Sequence, residues 1–197
     1  IQVNQDPNPK YYVRPGGGTG STCGKFTNPC STINQAQTNA VANGIHAIRV
    51  AGGTYGALNL VSNMEIHGGW KHDFSDHGAG DVTVINGTGT APAVTVVNVS
   101  NSVLRGLSLQ GQTRTSGDAV GVLVSGANAV TIANSLVGGG VGPNATGILV
   151  TNNSVADIVE TIVHSGTPTS AGRSAYGVRI LGGSVVNTAI VARRLGA

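Results

Sequence analysis

The most polar knot of this 197-residue chain runs Trp70-Lys-His-Asp-Phe-Ser-Asp-His77. Imidazole together with carboxylate is an acceptable ligand set for a transition metal. His72, Asp73, Asp76 and His77 are therefore candidate metal ligands. Their spacing matches no strong ligand motif, and the competing reading is a solvated loop held to the fold by Trp70 and Phe74. No other cofactor is expected. Carboxylates are the second place to look for chemistry. Glycosidic cleavage takes two of them at a set separation. A lyase takes an acidic cluster for Ca²⁺ and a base to abstract a proton. The chain has eight Asp and Glu, and beyond residue 94 they are only Asp118, Asp157 and Glu160. Asp157 and Glu160 fall near each other, but no acidic residue recurs at matching positions. His46 and His164 are isolated, His67 is expected on a strand face, and no catalytic residue is assigned.

Cys23 and Cys30 flank a short Gly/Pro-containing loop and have no other cysteine to pair with. A local disulfide is expected, which favours an oxidising compartment. Two free thiols are the alternative, and two Cys without a neighbouring His do not complete a zinc shell. The chain begins at Ile1 with no visible leader, as a processed exported chain would, and as a trimmed one would too. The expected location is secreted or cell-surface. No apolar stretch approaches the ~20 residues that span a bilayer. Net charge is +3 with dispersed basic residues, which argues against a nucleic-acid stripe. Sequons at Asn86, Asn98, Asn144 and Asn152 are expected by chance in so Asn- and Ser-rich a chain.

What must position these groups is a repeat. Gly121-Val-Leu-Val124, Gly147-Ile-Leu-Val150 and Gly177-Val-Arg-Ile180 start 26 and 30 residues apart, and Ala93-Val-Thr-Val96 is a looser copy 28 residues earlier. Each is followed by an Asn/Ser/Gly-rich corner and a second apolar run: Leu104–Leu109, Ile132–Val137, Ile158–Val163 and Val186–Val191. Self-similarity at such a period marks a solenoid or a propeller-like array. Charged residues are 10% of the chain and Gly supplies 31 positions, a composition for many short strands and turns. Val94/Val96, Val122/Val124, Ile148/Val150 and Val178/Ile180 should stack as aliphatic ladders at ~4.8 Å per coil. Asn134, Asn152, Asn153 and Asn187 are read as corner residues, because Asn tolerates a left-handed backbone.

Ahead of the array, Tyr11-Tyr-Val13 reads as a strand and Gly52-Gly-Thr-Tyr55 as a turn. Ser31–Ala42 is the one plausible helix. Ser31 is its expected N-cap, Ile33, Ala36, Gln37, Ala40 and Val41 its apolar face, and Gly44 its stop. Such a helix suits a cap over the first coil. Residues 1–47 are thus an N-terminal arm, disulfide loop and capping helix, continuous with coils over 48–197. Nothing resembling a cap follows the last run. Three readings stand there: a chain that continues, a coil that frays, or an end covered by a second copy joined head to tail. In the last case Ile1, Val3, Val178, Ile180, Ile190 and Val191 form the assembly surface.

Pro29-Cys-Ser-Thr-Ile33, Ile48-Arg-Val-Ala-Gly-Gly-Thr-Tyr55 and Ile66-His-Gly-Gly-Trp70, followed by Val-x-Val/Ile runs, resemble right-handed parallel β-helix proteins of the pectin-lyase-like superfamily. The nearest look is that of secreted or cell-surface β-helix proteins of environmental bacteria. The resemblance implies an all-β, right-handed parallel β-helix of about five coils. Polysaccharide lyases and hydrolases belong to this superfamily. Tyr176-Gly-Val-Arg-Ile180 is similar to the Arg-Ile element of its polygalacturonase-like members, but the Asn-Thr-Asp, paired-Asp and Gly-His-Gly elements that precede it there are missing. The expected role is non-enzymatic, structural or adhesive, with self-assembly into a filament as one form. Carbohydrate binding or degradation is the alternative, and the expected partners are another copy or an extracellular polysaccharide.

Overall fold

The computed structural model describes residues 9–78, 80–169, 173–187 and 190–193. β1 (Tyr11–Gly18), α1 (Ile33–Ala42), β2 (Ala47–Ala51) and β3 (Gly53–Tyr55) precede five coils. The first coil is β4 (Leu58–Asn59), β5 (Glu65–Trp70) and β6 (Thr83–Asn86). The second is β7 (Val94–Val97), β8 (Ser100–Arg105) and β9 (Leu107–Gln110). The third is β10 (Asp118–Ser125), β11 (Asn128–Ala133) and β12 (Leu136–Gly138). β13 (Val141–Gly142) then leads into β14 (Asn144–Val159), which supplies two walls of the fourth coil, and β15 (Thr161–His164) the third. β16 (Thr167–Pro168), β17 (Ala175–Asn187) and β18 (Ile190–Arg193) follow. Every ladder between coils is parallel, so the molecule is an all-β parallel solenoid with three walls. Gly52-Gly-Thr-Tyr55 is not simply a turn. Gly53–Tyr55 starts the third wall, paired with β6.

The inward positions fall in register. Leu58, Val94, Val122, Ile148 and Val178 line up on the first wall. Ile48, Ile66, Leu104, Ile132 and Ile158 do so on the second. Tyr55, Ile85, Leu109, Val137 and Val163 do so on the third. All but Val178 are buried. Burial at ~25 cal/mol per Å² of apolar surface is the term that holds successive coils together. The corners between the second and third walls stack Gly106, Asn134 and Glu160, each with positive φ. Those between the first and second walls use Asn98, Gly126, Asn152 and Asn153 in the same conformation. Asn187 departs from the expected corner role, since it pairs with Ile158 within β17.

The helix differs from expectation by one residue at its start. Thr32 is the N-cap and accepts from the Gln35 amide at 3.3 Å. Ser31 is still tied to β1, its amide donating to Gly18 O at 2.8 Å. Val41 faces solvent, and Asn39 takes the buried place, donating to the carbonyls of Gly20 and Cys23. Gly44 ends the helix with φ +65°. Cys23 and Cys30 form a buried disulfide. Of the expected assembly surface, Ile1 and Val3 lie outside the described residues. Ile190 and Val191 lie on β18, with their side chains outside the description. Val178 is half-buried and Ile180 is 47% exposed. Among the described residues no helix is long and apolar enough to cross a membrane.

Candidate functional site

On the outside of the second wall, three neighbouring strands present Arg49, His67 and Arg105 in one row. The row follows from strand alternation. Ile48, Ile66 and Leu104 point inward, so the next residue on each strand points out. Trp70 should then point inward, two alternations after Ile66. It does not, because β5 advances three residues, from His67 to Trp70, while β2 advances two, from Arg49 to Ala51. This is a bulge, and bulges re-aim side chains. Gly69, at φ +77°, supplies the left-handed backbone that the bulge uses. Trp70 is left beside the row, with the Arg49 guanidinium 4.0 Å from its ring centre. Its indole Nε1 is buried without a hydrogen-bond partner among the described residues.

The loop after Trp70 folds back over this wall. Phe74 is buried against Tyr12, and Lys71 N donates to Asp76 O. His77 returns to bridge Trp70, its ring 3.9 Å from the indole and 4.4 Å from His67. Arg105 Nη1 reaches Glu65 Oε1 at 3.3 Å. Lys10, Arg49, Glu65, His67, Trp70, His77 and Arg105 line an open cleft of about 370 Å³. Among the described residues that line it, Lys10, Arg49 and Arg105 are cationic and Glu65 is acidic. Partial burial pushes the His67 imidazole down to about 4, and His77, Arg105 and Arg49 push in the same direction. His67 is thus neutral above that value and keeps a lone pair to accept a hydrogen bond.

The candidate ligands of the polar knot do not converge. Asp73 is engaged by Ser75, whose amide and hydroxyl both donate to it and hold its carboxyl below the usual range. Asp76 pairs with Lys71 at 3.6 Å and accepts from the His77 amide. His72 is exposed, and His77 has turned into the cleft. Among the described residues, no three His, Cys, Asp or Glu side chains gather as metal ligands. Asp157 stands on the outer side of β14, while Glu160 occupies a left-handed corner. Arg179 is an ion-pair partner, 3.6 Å from Asp118, which also accepts from Asn144 Nδ2 at 2.7 Å.

Arg49, Arg105, Glu65 and Lys10 carried no signal in the sequence. Arg49 and His67 are 18 residues apart and His67 and Arg105 are 38, because the excursion after Trp70 lengthens one coil. Only the register brings them together.

No protein-family model matches the chain, and no curated protein matches it. Among solved structures it is similar to a Parabacteroides merdae protein provisionally assigned as a glycosyl hydrolase. The TM-score is 0.50 and the identity 12%, over 81% of this chain and 86% of that one. At that identity the likeness is one of fold: it supports the β-solenoid and carries no residue across.

Proposed function

We propose that the chain is an exported, non-catalytic β-solenoid that holds a polysaccharide on its outer wall, in an adhesive or structural role. The observation that carries this reading is the cleft of Arg49, His67, Arg105, Trp70 and His77. It offers donors on fixed strands, a neutral imidazole acceptor and apolar ring edges, which together suit hydroxyl- and carboxylate-bearing sugars. Its floor is a sheet rather than a loop, so the donors are held in place before a ligand arrives. The Cys23–Cys30 bridge and the absence of a long apolar helix among the described residues fit an extracellular setting. Among the described residues that line the cleft, Glu65 is the one carboxylate and is paired with Arg105, whereas glycosidic cleavage takes two.

Affinity electrophoresis in gels containing extracellular polysaccharides tests the proposal. The wild type should be retarded in at least one gel, and Arg49→Gln with Arg105→Gln should weaken retardation roughly tenfold, two charge-assisted contacts being lost. Failure to bind any glycan would end the reading. Release of reducing ends that disappears in Asp157→Asn would replace it with catalysis.

A further inference from the structure

The chain holds two Asn-Gly pairs, Asn43-Gly44 and Asn86-Gly87. A glycine after asparagine has no Cβ to keep its backbone nitrogen away from the asparagine side chain, so that nitrogen can approach the side-chain amide carbon. The fold treats the two pairs differently. Asn86 ends β6 and pairs with Gln110, and the Gly87 amide donates to Gln110 O at 2.8 Å. Gly87 is also tightly packed: a Cβ there would lie 2.7 Å from Ala91 O and 2.9 Å from Gln112 N. Asn43-Gly44 stands at the end of α1, where both residues are exposed. A Cβ on Gly44 would meet nothing within 4 Å. The Gly44 amide donates to Val41 O at 3.2 Å, and Asn43 Nδ2 donates to Asn39 O at 2.7 Å. Helix ends fray, and these two bonds open with the last turn.

We propose that Asn43 is a modification site at which the folded protein deamidates spontaneously, that Asn86 is protected, and that the product loosens the N-terminal cap. The Gly44 nitrogen gives up its proton to solvent and attacks Asn43 Cγ. The new C–N bond closes a succinimide ring, and the side-chain nitrogen leaves as ammonia. Water then opens the ring. Breaking the bond to Cγ gives aspartate, and breaking the bond to the backbone carbonyl carbon gives isoaspartate. The net change is amide plus water to carboxylic acid plus ammonia. Asn43, at ψ 11°, must turn about its Cα–C bond before the ring can close, and the open space around Gly44 permits that turn. The product fits its place poorly. A carboxylate at the end of α1 meets the negative end of the helix dipole, and the last turn carries no basic residue to offset it. Nor can it donate to Asn39 O as Nδ2 does. Asn39 is the residue that holds the carbonyls of Gly20 and Cys23, so the disturbance passes from the helix end to the disulfide loop.

Prolonged incubation of the folded chain at mildly alkaline pH, followed by proteolysis and mass spectrometry, tests this. The peptide carrying Asn43 should gain about one dalton, the difference between NH₂ and OH, and isoaspartyl methyltransferase should label it. Conversion should run at least about tenfold faster at Asn43 than at Asn86, because a helix end opens more readily than a ladder between coils. In urea, with the disulfide reduced, the two rates should converge, since both sites are then plain Asn-Gly. Asn43→Asp supplies one product directly. In hydrogen exchange it should speed the amides of the last turn of α1 and of residues 20–23 by about two- to fivefold, the scale of one unfavourable charge at a helix end, with β14 protected as in the wild type. Equal conversion at both sites of the folded protein, or none at Asn43, overturns the proposal. So does a preference for Asn43 that persists undiminished in urea, which would place the selectivity outside the fold. If Asn43→Asp exchanges as the wild type does, the effect on the cap is overturned.

Discussion

The first and the last described coils of the solenoid differ in what meets their outer strand edges. At the N-terminal end, β4 would be an open edge of the first wall, with backbone groups facing away from β7. The amides of α1 occupy that edge. Asn34 Nδ2 donates to Ala57 O and its Oδ1 accepts from Asn59 N, while Gln37 Nε2 donates to Asn59 O and its Oε1 accepts from Val61 N. Two side-chain amides thus present the donors and acceptors that a further strand would bring. At the other end, β17 pairs with β14, and no described strand or side-chain amide covers its far edge. Ile180, Leu181 and Val186 are about half exposed there, although Ile180 continues the ladder of the fully buried Val96, Val124 and Val150. A solenoid position is therefore core or surface according to what stacks on it, and repeat phase alone does not decide.

The sharpest way to break that contrast is to put the same charge at two places in one ladder. Val124→Asp buries an unpaired carboxylate between coils and should cost about 4 kcal/mol or more, or prevent folding. Ile180→Asp leaves its carboxylate reachable by water and should cost about 1 kcal/mol or less. Chemical denaturation of the two variants makes the comparison. Equal losses would show that the last coil is covered in solution, as head-to-tail association would require.

The amide cap gives a smaller effect. Gln37 is buried, so Gln37→Leu leaves Asn59 O and Val61 N without partners at roughly the same volume. The expected loss is about 1–3 kcal/mol. Hydrogen exchange should report it locally, with α1 and β4 amides exchanging faster and β14 protected as before. Uniform loss of protection along the solenoid would mean that the coils unfold as one unit and that the cap has no separate role.

How much of this was legible depended on distance along the chain. The ladders are readable because Val-x-Val runs recur at nearly constant spacing from residue 94 onward, and the corners at Asn134, Asn152 and Asn153 come with them, whereas Asn187 does not. The helix as a cap was readable from its position, but its means were not. Sequence periodicity favoured Val41 as a buried residue, whereas the structure buries Asn39, whose amide satisfies carbonyls of the disulfide loop. The helical period places Gln37 on the apolar face, whereas in the structure it acts through its amide. The cleft was illegible for a similar reason. It depends on the register of irregular early coils and on a bulge at Gly69, neither of which leaves a periodic trace.

The most delicate expectation concerns acid. His67 belongs to the first coil, near the capped end, and its folded-state pKa of about 4 lies below the ordinary 6.5. An imidazole depressed on folding is protonated first in the unfolded chain, so stability is fully present above about 6.5. It falls as the pH drops towards about 4 and is lost below that. The groups facing His67 sharpen the effect. His77, Arg105 and Arg49 oppose a charge on it, and among the described residues that line the cleft Glu65 is the group of opposite sign. Trp70 is the sole tryptophan and lies against both imidazoles, so its fluorescence reports the cleft directly. Lowering the pH from 7 to 4 should change Trp70 emission and loosen β5 and the loop after it before β14 responds. His67→Gln should flatten the stability profile between 4 and 6.5, because glutamine keeps a polar group there without a titrating one. A profile unchanged by His67→Gln would assign the acid response to groups other than His67. An acid response that begins in β17 would reverse the contrast between the two ends.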